Sequence, residues 1–203
     1  ALLLCTLTKA EAPDKTGLDL FMEAVNLDRN ARSPGDLRLA AQKYEQALKA
    51  FRNSQASKNI LRVTLRLSRL YLRLNSYRKA IELSEEAVAQ ARSLGDLRAE
   101  AAALNNLGCV YAGAGQSRQG DESLQRAVKA AEEAGLPDME LEALNNLARL
   151  CRTTGLGRRA IEYSTRAVEL ARKQGNPALL LRPLNNLGIA YAMVGKHDRA
   201  AEV

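Results

Sequence analysis

The pentapeptide LNNLG at 104–108 returns as LNNLA at 144–148 and as LNNLG at 184–188, so the chain repeats itself every 40 residues. A fixed period of this size restricts a sequence to architectures in which each unit packs only on its neighbours, and length then says little about domain number. The register extends well beyond these five letters. Leu27, Leu67, Leu107, Leu147 and Leu187 align, as do Tyr71, Tyr111, Cys151 and Tyr191. Ala40, Ala80, Gly120, Ala160 and Ala200 form a column of small residues, followed by Ala47, Ala87, Ala127 and Ala167. Gly95, Gly135 and Gly175 close the units, with Pro137 and Pro177 just beyond.

Inside one unit the apolar spacing is helical. Leu104, Leu107, Gly108 and Tyr111 stand at i, i+3, i+4 and i+7, which places them on one face. A break follows at Gly113, Ala114 and Gly115, and a second periodic segment carries Leu124, Ala127, Val128 and Ala131 inward. Each unit is therefore a helical hairpin, and the chain is all-α. The small residues at 108, 148 and 188 oppose those at 120, 160 and 200, so the two backbones of a hairpin can approach closely. The closing glycines supply the left-handed conformation that ends a second helix.

The pattern L-x-x-L-[GA]-x-x-Y, with a small residue nine positions after the Tyr and another seven further on, resembles the tetratricopeptide repeat. The 40-residue period, the LNNLARLC block at 144–151 and GRRAIEYSTRAVEL at 157–170 are similar to the kinesin light chain variety. The resemblance implies an α-solenoid, a right-handed superhelix of antiparallel helical hairpins whose first helices line a peptide-binding groove. It is strong over 57–203. Residues 16–53 fit less well, with Asp28 and Ala31 in the places of a small residue and a Tyr. The units span about 16–53, 57–94, 97–134, 137–174 and 177–203, the second helix of the last beginning at Asp198. The ending Ala200-Ala201-Glu202-Val203 lacks the polar cap that closes an array, so the sequence reads as part of a longer one.

Residues 1–15 form a separate N-terminal segment. Residues 1–12 read either as the second half of a preceding helix, in register with IELSEEAVAQAR at 81–92, or as the end of a signal peptide closing on Ala10-Glu11-Ala12. Localisation accordingly reads as cytoplasmic, with export as the alternative. No apolar run is long enough to span a membrane. Cys5, Cys109 and Cys151 lack paired spacing and read as small buried apolar residues, not as a disulfide framework or a zinc site.

Nothing in the residue set supports catalysis or a cofactor. His197 is the single histidine, which rules out a multi-histidine metal site within these residues, and beside a turn it reads as a solvated or capping residue and not as a catalytic base. Gly113, Gly115 and Gly120 lack the lysine of a phosphate loop and recur as turns. Acidic pairs such as Glu85-Glu86 and Glu132-Glu133 read as solvated helix surface.

Two features stand out, both on first helices. At ~100° per residue, positions 102, 106, 109 and 113 lie opposite the face that meets the hairpin partner. That set holds Asn106 and its equivalents Asn146 and Asn186. Together with Asn105, Asn145 and Asn185 they cost a helix on the order of 3 kcal/mol relative to alanine, at roughly 0.5 kcal/mol each. A side-chain amide can match the N–H and C=O of an extended peptide, and the family resemblance implies such an asparagine ladder for Asn106, Asn146 and Asn186. The competing reading is that the amides bond only to neighbouring repeats. The second feature is Arg62, Arg66, Arg69 and Arg73, at the same four positions of one helix, with Arg149, Arg152 and Arg182 nearby along the same surface. Aligned guanidinium groups repel one another and can grip carboxylates bidentately.

Lysine and arginine outnumber acidic residues by 30 to 23, a net charge of +7 that biases encounters toward acidic partners. The leading expectation is a non-enzymatic interaction module or adaptor that takes an extended, acidic protein segment, with asparagines on its backbone and arginines on its charge. The alternative is the sensor or oligomerisation region of a larger regulator or enzyme. Nucleic acid is not the expected partner, because aromatic residues are only 4% of the chain and several tyrosines belong to the core. No oligomeric state is written in the pattern.

Overall fold

The structure, a computed structural model, describes residues 15–203. The readings of residues 1–12, including Cys5, lie outside the described residues. Ten α-helices follow one another, and no strand occurs among the described residues. They are α1 (Lys15–Asn30), α2 (Pro34–Asn53), α3 (Ser57–Arg73), α4 (Tyr77–Ser93), α5 (Leu97–Gly113) and α6 (Ser117–Glu133). After these come α7 (Pro137–Thr153), α8 (Gly157–Lys173), a 3-10 turn at Pro177–Leu180, α9 (Leu181–Met193) and α10 (His197–Ala201). The described residues divide into two compact units, 15–67 and 68–203, with the boundary inside α3.

In the first unit α1 and α2 form a hairpin. Ser33 caps α2, its hydroxyl accepting from the Asp36 N–H at 3.2 Å while the Asp36 carboxylate accepts from the Ser33 N–H at 2.9 Å. The N–H groups of Arg32 and Ser33 and the Ser33 hydroxyl hold the Asp36 carboxyl below its ordinary range, the Arg32 N–H most strongly. The interior is more aromatic than elsewhere: Phe21, Tyr44 and Phe51 are buried, and the Phe21 and Tyr44 rings lie 5.9 Å apart. These rings fill the volume that Leu and Ala fill in later repeats.

The second unit stacks the hairpins α5/α6, α7/α8 and α9/α10, with α4 against α5 and successive first helices side by side, the antiparallel arrangement of an α-solenoid. Leu104, Leu107 and Gly108 of α5 and Gly120, Leu124, Ala127 and Val128 of α6 are buried in the hairpin interior. Each buried leucine contributes about 1.5–3 kcal/mol relative to an exposed one. Backbone approach is closest where the small columns meet: a Cβ on Gly120 would lie 3.1 Å from the Gly108 carbonyl oxygen. The helix ends follow the glycine columns, with φ of +63°, +63° and +69° at Gly95, Gly135 and Gly175. Gln55 takes the same left-handed conformation where this column lacks glycine, and Asn75 does so after α3, in the place that Gly115, Gly155 and Gly195 hold after later first helices.

One substitution in the tyrosine column is compensated across the hairpin. Cys151 stands where the repeats of α3, α5 and α9 have Tyr71, Tyr111 and Tyr191, and it is buried as expected. The missing ring is supplied from α8 by Tyr163, which packs against Cys151, Ala160 and Ala190. Arg159 lies over the Tyr163 ring at 5.6 Å, as Lys79 lies over Tyr71 and Arg199 over Tyr191. Among the described residues, no helix is long and apolar enough to cross a membrane, and no cluster of His, Cys, Asp or Glu could hold a metal ion. His197 is exposed at the start of α10.

Candidate partner-binding face

On the side of the first helices turned away from their hairpin partners, helix α5 presents Ala102, Asn105, Asn106 and Cys109, and α7 presents Glu142, Asn145, Asn146 and Arg149. Consecutive residues of a helix point ~100° apart, so the two asparagines of each pair lean toward opposite neighbours. Asn106 donates to the Ser68 hydroxyl at 3.4 Å in α3, whereas Asn105 meets α7, donating to Glu142 Oε1 at 3.0 Å and accepting from Asn146 Nδ2 at 2.9 Å. One repeat later Asn186 Nδ2 reaches Asn145 Oδ1 at 3.3 Å.

The amides therefore form rungs between adjacent first helices. Asn106 and Asn146 are only 4% and 6% exposed, where the sequence expectation put them on an open surface, and Asn186 is half-buried. The helical cost of the asparagines is offset within the array, because each rung satisfies polar groups that burial would otherwise leave unpaired. The ladder changes at α3, which carries Leu65 where the later repeats have Asn105 and Asn145. There the Asn106 carbonyl oxygen accepts from Arg69 Nε, fixing the guanidinium over α5.

The arginines do reach solvent. Arg62 and Arg66 belong to the first unit, where their guanidinium groups lie over the Phe21 ring at 5.3 and 5.9 Å. The Arg66 guanidinium is also turned toward the Tyr44 hydroxyl, so part of its donor set points inward. In the second unit Arg69, Arg73, Arg149 and Arg182 are exposed on the open side of the first helices, while Arg152 is half-buried. Every carboxylate of α5, α7 and α9 is already engaged. Glu100 pairs with Arg92 at 2.6 Å, Asp138 with Arg98 at 2.8 Å, Glu140 with Arg166 at 3.0 Å, and Glu142 accepts from Asn105. Arg98 holds the Asp138 carboxyl below its ordinary range. Arg149 and Arg182 form no ion pair among the described residues, and Arg149 Nη2 approaches only the Cys109 sulfur, at 3.9 Å. The face thus carries unbalanced positive charge.

Two of its members were not singled out by sequence reasoning. Cys109, expected to be buried, is half-exposed on this face; burial pushes its thiol up from the ordinary value, and Arg149 draws it partly back. Glu142 sits in the same column as Arg62 and Ala102, and this column position was the available signal.

Known proteins share the fold that carries this face. The nearly identical tetratricopeptide-like repeats of a putative kinesin light chain from Podosopora anserina superpose with a TM-score of 0.75 at 21% identity, covering 95% of this chain and 92% of that one. Aspartyl phosphate phosphatase F from Bacillus subtilis gives a TM-score of 0.78 at 16% identity over 94% of this chain and 49% of the phosphatase. A signal transduction ATPase with a tetratricopeptide repeat sensor from Pyrococcus horikoshii gives 0.67 at 16% identity, covering 90% of this chain and 30% of the ATPase. These likenesses establish the fold. No curated protein matches by sequence. The tetratricopeptide repeat family model matches residues 59–133 and 139–203, most of the helical array, and the chain belongs to the tetratricopeptide repeat family.

Proposed function

We propose that this chain is a protein-interaction module whose second unit binds an extended acidic segment along the open side of α5, α7 and α9. The observation that carries the reading is the pair Arg149 and Arg182, exposed and without ion-pair partners on helices whose every carboxylate is engaged. Exposed guanidinium groups retain their donors for a carboxylate and grip it with two parallel N–H bonds. Asn106 adds a fixed orientation to Arg69, so the ladder serves binding by positioning a charge, and Asn186, half-buried where Asn106 and Asn146 are buried, keeps part of its amide open to a peptide backbone.

Fluorescence anisotropy with labelled octaglutamate and octalysine tests the reading. Octaglutamate is expected to bind and octalysine not, with affinity falling about tenfold or more in Arg149→Glu/Arg182→Glu and steeply with salt. Equal binding of the two peptides, or an unchanged affinity in the double variant, overturns it. A folded RNA that displaces octaglutamate would point to nucleic acid instead.

A second reading, the sensor region of a larger regulator, draws on the length relation to the phosphatase and the ATPase, of which this chain covers 49% and 30%. An effector activity that responds to a peptide bound on the array would support it. An array that binds with no change in any neighbouring domain would not.

A further inference from the structure

Arg69 and Glu142 come from first helices on either side of α5, and they meet above it. Arg69 Nη2 lies 3.9 Å from Glu142 Oε1, and both side chains are about half exposed. Beneath the pair are the two amides of α5, Asn106 held to Arg69 and Asn105 to Glu142. The crossing is possible because α5 carries small side chains in its own outward positions, Ala102 and Cys109, where α3 has arginines. A larger residue at either place would hold the two charges apart. The burial of Asn106 thus has two parts: its rung to Ser68 below, and a roof of two long side chains above.

We infer that the Arg69–Glu142 pair is a strap that competes with the acidic partner for the second unit, an inference that rests on the binding reading given above. Glu142 presents to Arg69 the same carboxylate chemistry that a partner would bring. A separation of 3.9 Å between half-exposed groups is a weak contact in water, worth little on its own and readily exchanged. A partner carboxylate that takes Arg69 releases Glu142, and the roof opens over Asn105 and Asn106. The same geometry sets a preference along the partner: acidic residues opposite Arg69, Arg149 and Arg182, and a neutral or basic residue opposite Glu142, where a second carboxylate would be repelled.

The substitution Glu142→Gln tests the strap, since it removes the charge and keeps an oxygen that can accept from Asn105. Octaglutamate is expected to bind it about 2- to 3-fold more tightly than the wild type, the factor by which a weakly held strap lowers the competent fraction. Without any peptide, side-chain amide protons of Asn106 are expected to exchange with solvent several-fold faster in the variant, read by NMR. Unchanged exchange and unchanged affinity, with Arg149→Glu/Arg182→Glu still weakening binding, overturn the strap and leave the acidic-partner reading standing. Faster exchange without any preference for octaglutamate over octalysine overturns the acidic-partner reading, and the competitive role of the strap falls with it.

Discussion

Gly108 and Leu124 face each other across the α5/α6 hairpin so closely that a methyl group on Gly108 would lie 2.5 Å from Leu124 Cγ. In the next hairpin the same two positions hold Ala148 and Ser164, both buried. The repeats thus exchange volume between facing positions and keep the helices close. Gly108→Ala should cost about 1–3 kcal/mol through overpacking, and Leu124→Ala about 2–5 kcal/mol through lost burial. Because the added methyl enters the space that the leucine leaves, the double variant should be at least ~1 kcal/mol more stable than additivity allows. Chemical denaturation of the four proteins measures this, and strict additivity would refute the volume exchange.

The second exchange of volume lies between Cys151 and Tyr163. In the preceding hairpin the equivalent positions are Tyr111 and Ser123. Cys151→Tyr alone should destabilise by about 1–3 kcal/mol, because Tyr163 already packs there. Adding Tyr163→Ser should recover most of the loss. Thermal unfolding of the single and double variants checks it; a double variant no more stable than Cys151→Tyr would show that the two rings do not share a site.

The asparagine rungs should rank by burial and geometry. Asn146→Ala removes a 2.9 Å bond inside a buried rung and leaves the Asn105 carbonyl oxygen short of a donor, at a cost of about 1–3 kcal/mol. Asn186→Ala removes longer contacts of 3.3 and 3.5 Å at a half-buried position and should cost less. Equal losses in urea titrations would argue against a structural role graded by burial.

The Tyr111 hydroxyl donates to Glu85 Oε1 at 2.6 Å, and this bond, with some burial, pushes the phenol up to about 12. The folded state therefore favours the protonated phenol. Its contribution is fully present below the unfolded value near ~10 and is lost as pH rises through the folded value. Following the ring carbon of Tyr111 by NMR should give a titration near 12 in the wild type and closer to the ordinary value in Glu85→Gln. The idea fails if the variant leaves the titration where it was.

Periodicity alone determined most of the architecture. The 40-residue register, the small columns at 108 and 120 and the glycines at 95, 135 and 175 dictate helical hairpins, their close approach and their ends. Each of these is a local or nearest-neighbour property, and an amphipathic helix advertises its buried face in the order of its residues. The outward face was legible only in part. Helical angles correctly carried Arg69, Arg149 and Arg182 to the surface, but they describe one helix at a time. Whether Asn106 sees solvent depends on the distance to α3, on Ser68 beneath it and on the reach of Arg69 and Glu142 from two other helices. These partners stand 36 to 38 residues away in sequence, and only the packing of successive repeats brings their side chains within bonding distance.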